Sequence, residues 1–143
     1  MTDDPGRSAG NIVIRSEFLD DAALRTLQNS HRFHLCLSEA EGWGHYIVEA
    51  LGVGAVTLTC DAAPMNELVT AQRGILVPAA AGSRHNLVQL ALFEPEGLGR
   101  AVDECMKMDA DRLEAIGSRA REWFVSNKLE FPQRVRRALA EIA

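Results

Sequence analysis

The sequence predicts an α/β domain built on a Rossmann-like, mostly parallel sheet that is flanked by helices and followed by C-terminal helices. Short runs rich in β-branched residues alternate along the chain with helical segments, as they do in βαβ units. The run at residues 55–59 is apolar-leaning and unbroken, which is typical of a strand buried inside a parallel sheet. The loops are short, and no internal repeat or linker is present. We therefore expect one domain over residues 11–143, after a disordered lead-in over residues 1–10.

Strands and helices alternate through the first half of the chain. Asp20 and Asp21 suit a helix N-terminus, where carboxylates meet unpaired N–H groups, and Ala23, Leu24 and Leu27 give that helix an apolar stripe. The other predicted elements are strands at residues 11–14, 33–37, 55–59 and 75–77, a helix at residues 45–51 that ends at Gly52 and Gly54, and a short helix that begins at Pro64.

Helices dominate the predicted second half. Asp109 or Asp111 caps a long helix, and we expect Pro132 to break it, because a proline inside a helix removes a hydrogen bond and clashes with the preceding turn. The remaining predictions are a loop at residues 79–83, an ambiguous segment at residues 86–93, a helix from Pro95 to about residue 108, and a last basic helix with Arg134, Arg136 and Arg137.

The composition excludes several classes of protein. Fifteen basic against twenty acidic residues give the 143-residue chain a net charge of −5, which argues against a protein whose main role is to coat nucleic acid or an anionic membrane. Cys36, Cys60 and Cys105 form no CxxC pair and lie in apolar runs, so we expect buried free thiols. No transmembrane segment or signal peptide is predicted, and the cytoplasm is the expected compartment.

A glycine-punctuated turn follows the predicted strand at residues 33–37. Ligands of open parallel sheets bind beyond the carboxyl ends of the strands. Gly42 and Gly44 allow a tight turn and a close approach of a ligand to the backbone. The free N–H groups of Gly44, His45 and Tyr46 lie at the positive end of the next helix, which is a ready site for phosphate oxygens.

Two carboxylates stand on either side of this helix N-terminus. Glu41 comes just before the turn, and Glu49 lies more than one helical turn after it. Together they offer hydroxyl acceptors at both ends of a ligand with a charged middle, which suits a sugar nucleotide. On spacing alone, a plain turn and two solvated carboxylates remain the alternative interpretation.

Three motifs follow one another in this region. The first is Ser38-x-x-Glu41-Gly-Trp-Gly-His-x-x-x-Glu49, and the second and third are Thr59-Cys-Asp-Ala-Ala-Pro-Met-Asn-Glu-Leu-Val and Gly74-Ile-Leu-Val-Pro. In this order they resemble the Glu-x7-Glu signature, the next strand and loop, and the Gly-Leu-Leu-Val-Pro segment of retaining GT-B glycosyltransferases in the glycosyl transferases group 1 family. Trp43 replaces the family's common Phe. The flanking residues 11–30 and 95–142 resemble the neighbouring elements of that family, so the resemblance covers nearly the whole chain.

The resemblance implies a role for each matching residue. Glu41 would be the catalytic residue and contact hydroxyls of the transferred sugar, while Glu49 would accept the ribose hydroxyls. The other implied donor-binding residues are Ser38, Gly42, Trp43, Gly44, His45 and Tyr46. Residues 61–66 would form a neighbouring wall of the cleft. The resemblance implies no bound metal and no cofactor, since the nucleotide sugar is a substrate.

The resemblance further implies that this chain is the donor-binding, C-terminal half of a GT-B enzyme and is N-terminally incomplete. Transfer to an unknown acceptor would then need a separate N-terminal acceptor domain or another copy in a homo-oligomer. Nucleic acid is not an expected partner. The alternative function is a non-catalytic, Rossmann-like binding or interaction module derived from a glycosyltransferase.

One structural expectation concerns the strand at residues 33–37. In the family's strand order its neighbour is a central strand that this sequence lacks, which would leave an unpaired edge. Two hypotheses follow. Either the run at residues 11–14 fills the empty position, or another chain supplies the missing strands.

Overall fold

A three-stranded parallel sheet in the order β1–β2–β3 is the centre of the fold. It is seen in a computed structural model that describes residues 11–142. The strands are β1 (Phe33–Cys36), β2 (Val56–Cys60) and β3 (Gly74–Val77). The middle strand, β2, is buried at every position, as expected for its unbroken, apolar-leaning run. The α/β class is therefore confirmed, together with three of the four predicted strands.

Five helices accompany the sheet within residues 11–142. The predicted cap of the first is confirmed, because a side-chain oxygen of Asp20 accepts the N–H of Ala23 at 2.8 Å. Of the two candidate caps for the last helix, Asp109 is used, and it accepts the N–H of Arg112 at 2.8 Å. The helices are α1 (Asp21–Asn29), α2 (His45–Gly52), α3 (Met65–Leu68), α4 (Pro95–Met106) and α5 (Ala110–Glu141).

Two apolar clusters hold the helices to the sheet. One is centred on α2, whose Ile47 and Leu51 are fully buried, and it includes Ala120 of α5. The other packs Cys105 of α4 against the sheet beside Leu58 of β2. All three cysteines are buried and free, as predicted. Because α2 packs against β2 and α5, its position, and with it that of the preceding loop, is fixed by the core.

The predicted strand at residues 11–14 is wrong. These residues form no strand, and the side chains of Ile12, Val13 and Ile14 are exposed. Within residues 11–142, no strand pairs with the outer side of β1, where Leu35 is exposed. A short β-branched run becomes a strand only when a partner takes up its backbone groups, and here none does. The hypothesis that this run fills the empty position is therefore contradicted, and supply of strands by another chain stays a prediction.

An antiparallel hairpin occupies residues 79–93, where we expected a loop and an ambiguous segment. Its strands are β4 (Ala79–His85) and β5 (Val88–Phe93), which pair with an irregularity in the register. Asn86 in the turn has φ of 53°, a conformation that asparagine tolerates. The loop prediction for residues 79–83 failed because alanine and glycine favour strands weakly, so that pairing with β5 decides their conformation.

The helix α5 runs through Pro132, although we expected a break there. The proline removes one backbone hydrogen bond, to the carbonyl of Lys128 four residues earlier. Both residues are exposed, so water can take the place of the lost donor. The basic segment is thus the end of α5, and no separate last helix exists within the described residues. None of the helices in residues 11–142 is both long enough and apolar enough to cross a bilayer. The expected lead-in at residues 1–10 lies outside the described residues.

Candidate functional site

The loop between β1 and α2 is fastened by a small hydrogen-bond cluster. The hydroxyl of Ser38 donates to Oε1 of Glu41 at 2.6 Å, and it also shares a hydrogen bond with the Tyr46 hydroxyl in the first turn of α2. Burial raises the pKa of Tyr46 above its usual value, although the hydrogen bond to Ser38 acts in the opposite direction. Three of the predicted site residues therefore lie together, and the Glu41 carboxylate is held at the C-terminal end of β1.

The start of α2 depends on a glycine in a left-handed conformation. Gly44 precedes the helix with φ of 74° and is buried. A Cβ at this position would lie 3.0 Å from Cδ1 of Leu68 and 3.1 Å from Cδ1 of Ile47. No side chain of the described residues caps α2. The N–H groups of its first turn, including those of His45 and Tyr46, thus form the positive end of the helix dipole.

Open space lies beside Gly42, two residues before Gly44. A Cβ built at Gly42 meets no heavy atom within 4 Å, in contrast to Gly44. A ligand could therefore approach the backbone of the loop here without displacing a side chain. Close contact between a ligand and the backbone therefore stays a prediction at Gly42, whereas Gly44 is packed against the core.

Glu49 is exposed on α2 and is hydrogen-bonded to a residue that the sequence did not indicate. Its Oε2 accepts a hydrogen bond from the side-chain amide of Gln28 on α1 at 2.8 Å. His34 of β1 in turn lies 3.0 Å from the Gln28 carbonyl oxygen. Gln28 thus orients the Glu49 carboxylate, although the two residues lie on different helices and are 21 positions apart in the sequence. No local sequence signal marks such a contact.

Trp43 faces a different part of the surface. Its half-exposed indole lines a groove of about 470 Å³ between α2 and α5, together with Val48, Phe124 and Phe131. The contact of Trp43 with the donor sugar is predicted for its backbone, so the direction of the indole does not decide it, and it stays a prediction.

Two further segments border the loop. The predicted wall at residues 61–66 begins directly after β2, and the Asn66 amide donates to a carboxylate oxygen of Asp61 at 3.0 Å. The unpredicted hairpin also contacts the loop, because the N–H of Ala91 donates a hydrogen bond to the carbonyl of Glu39 at 2.7 Å. The hairpin thereby fixes the loop backbone between Ser38 and Glu41.

Cys36 ends β1 next to this loop and is buried. Burial, and secondarily the charge of Glu41, raises the pKa of the Cys36 thiol to about 12. The group remains a neutral thiol at neutral pH and is a poor nucleophile. Within residues 11–142, no three His, Cys, Asp or Glu side chains gather in a way that would hold a metal ion.

Ser38→Ala tests the hydrogen-bond cluster. Removing the hydroxyl should change the pKa of Tyr46, because the two hydroxyls share a hydrogen bond, and should lower the free energy of unfolding by about 1 kcal/mol. Tyr46 is the chain's single tyrosine, so ultraviolet titration reports it directly. Ser126→Ala on α5 is the matched control. A Tyr46 pKa that does not change in Ser38→Ala would contradict the cluster.

Comparison with known proteins supports the fold. No family model matches the sequence, and no curated protein matches it. The pneumococcal O-GlcNAc transferase GtfA, solved in complex with UDP and GlcNAc, matches 83% of this chain at 22% identity and a TM-score of 0.57. A GtfA/B complex matches 80% at 16% identity and a TM-score of 0.58. This chain covers 22% of the matched chain in each case.

These matches define the class of fold. The parallel sheet, its flanking helices and the C-terminal helix form an α/β fold shared with part of a glycosyltransferase. The prediction of a glycosyltransferase-type fold is thereby confirmed. The implied family, the donor site and the reaction stay predictions.

Proposed function

We propose that this chain binds a nucleotide-diphosphate sugar at the loop between β1 and α2, as the donor half of a retaining GT-B glycosyltransferase. One observation carries the proposal. The loop after β1 holds the Glu41 carboxylate through Ser38, leads into the uncapped start of α2, and is followed on α2 by the exposed carboxylate of Glu49, which Gln28 holds.

Each part of the donor has a group that suits its chemistry. The diphosphate would lie at the N–H groups of His45 and Tyr46, where the helix dipole favours negative charge. The ribose hydroxyls would donate to Glu49, whose carboxylate Gln28 keeps in place. The sugar would enter the open space beside Gly42, with Glu41 accepting its hydroxyls.

The start of α2 would also stabilise the negative charge that develops during transfer of the sugar. As the bond between the sugar and the diphosphate breaks, negative charge grows on the departing phosphate. The fixed N–H groups of α2 stabilise that charge without reorganising. The acceptor hydroxyl would be presented by a separate acceptor domain or by another copy of the chain. The matched GtfA structure contains UDP and GlcNAc, which agrees with a uridine diphosphate sugar as the first donor to test.

Glu49→Gln tests the donor site. Isothermal titration of the chain with UDP-, GDP- and ADP-sugars should show binding of at least one donor. The substitution keeps the shape and one acceptor but removes the charge, so affinity should fall roughly tenfold to a hundredfold. Glu114→Gln lies near the opposite end of the strands and should bind as the unmodified chain does.

Two outcomes of this titration would change the conclusion. Equal weakening by Glu49→Gln and Glu114→Gln would mean that general charge, not the site, controls affinity. No binding of any donor by the folded chain would favour the second candidate, a non-catalytic interaction module.

A further inference from the structure

The C-terminal part of α5 is largely exposed to solvent. Of residues 125–142, all are exposed except Asn127, which is half-buried. The segment is 18 residues long by its numbering and therefore extends about 27 Å. A helix of this length is marginal in water on its own, and its apolar side chains gain nothing by facing solvent.

This segment, which we call the α5 tail (residues 125–142), has an apolar side. At 3.6 residues per turn, its large apolar residues fall within an arc of roughly 160°. All of them are exposed, and Leu129 and Leu139 are 71% and 57% accessible to solvent. The members of this stripe are Val125, Leu129, Phe131, Val135, Leu139 and Ile142.

The charges of the α5 tail are divided between the two sides of the helix. By the same 3.6-residue period, Lys128 and Arg136 lie inside the apolar arc, which therefore carries a charge of +2. The opposite side has no net charge, because it holds two cations and two carboxylates: Arg134, Arg137, Glu130 and Glu141. Four cations against two carboxylates give the tail a net charge of +2, although the whole chain carries −5. Within residues 11–142, none of these cations forms an ion pair.

We propose that the α5 tail binds the surface of an anionic lipid bilayer. Its apolar stripe would enter the boundary between headgroups and acyl chains, while Lys128 and Arg136, whose long side chains extend from the same side of the helix, reach the anionic headgroups. The overall acidity of the chain does not oppose this, because attraction to a lipid surface acts within about one Debye length and depends on the local cations. The proposal is independent of the donor site and concerns the place where the chain acts.

The sequence of the stripe disfavours a coiled coil with a second copy. A seam centred on Val125, Leu129 and Leu139 would also contain Pro132 and Arg136. The carboxylates that would neutralise Arg136 lie on the far side of the helix, so its charge would be buried without a partner. Nucleic acid is disfavoured as well. Its phosphate backbone makes no favourable contact with the exposed apolar side chains that lie between the cations.

Vesicle co-sedimentation of the full chain tests the proposal. It should sediment with phosphatidylcholine vesicles containing about 30% phosphatidylserine, and not with phosphatidylcholine alone. Replacing Lys128 and Arg136 by Gln should weaken binding about 25-fold in total, or about fivefold for each cation. Leu129→Ser with Leu139→Ser should weaken it tenfold or more. Glu130→Gln, on the opposite side of the helix, is the control and should not weaken it.

Folding of every variant is checked by its thermal transition, which these exposed positions should leave unchanged. Failure of the folded chain to sediment with anionic vesicles would overturn the proposal. So would vesicle binding that is insensitive to the stripe, or sedimentation velocity showing a dimer that the serine variants dissociate. Binding to short duplex DNA with an affinity that the serine variants retain, in the absence of vesicle binding, would overturn it in favour of nucleic acid.

Discussion

Gly44→Val is expected to lower the free energy of unfolding by roughly 2 to 4 kcal/mol and to abolish nucleotide-sugar binding. The backbone at Gly44 is left-handed, with φ of 74°, and a β-branched residue is a true outlier there. Its Cβ would also press on Leu68 and Ile47 at 3.0 and 3.1 Å. The backbone strain and the close contacts are relieved only if the loop or the first turn of α2 moves. The N–H groups that would hold the diphosphate would then be displaced. Thermal unfolding and titration with the donor measure the two effects.

Gly42→Val is the matched variant, with the opposite expectation for stability. A side chain at Gly42 enters open space, so the thermal transition should stay close to that of the unmodified chain. The same side chain would fill the volume assigned to the sugar, and donor affinity should fall at least a hundredfold. If Gly42→Val bound the donor normally, the sugar would not approach the loop at this position. If Gly44→Val bound it normally, the start of α2 would not hold the diphosphate.

The parts of this site that could be predicted from the sequence are those encoded locally. Asp20 and Asp109 cap their helices through N–H groups three residues away, and Gly44 allows the turn that begins α2. Each depends on side-chain chemistry within a few residues. The strands β2 and β3 were also predictable, because burial on both faces requires unbroken apolar-leaning runs.

The parts that could not be predicted depend on contacts between distant segments. Gln28 reaches Glu49 across 21 residues and presents no motif. The residues of β4 favour strands weakly, so its existence depends on pairing with β5. The strand prediction for residues 11–14 failed for the opposite reason. This run favours a strand locally, but it has no paired neighbour and therefore does not form one. In each case the deciding interaction is one that a local pattern does not contain.

Gly117→Ala is expected to destabilise the chain by about 2 to 3 kcal/mol, because α5 and the end of α2 meet there through backbone atoms. A Cβ at Gly117 would lie 2.5 Å from the carbonyl oxygen of Gly54. That carbonyl cannot withdraw easily, since Gly54 is itself left-handed with φ of 72°. A Cβ at the nearby Gly52 would lie 3.2 Å from the Phe124 ring, so the contact between the two helices is tight here as well. The substitution would therefore push α5 away from α2, the helix that carries the candidate donor site.

Gly99→Ala on α4 separates this contact from helix propensity. Both glycines are helical, and alanine is intrinsically the better helix former by about 1 kcal/mol. A Cβ at Gly99 meets nothing within 4 Å, so this variant should unfold at a higher temperature than the unmodified chain, whereas Gly117→Ala should unfold at a lower one. Thermal unfolding followed by circular dichroism gives both values. Shifts in the same direction would show that α5 can yield at Gly117, and the position of α2 would then depend on its contacts with β2 and α3 instead.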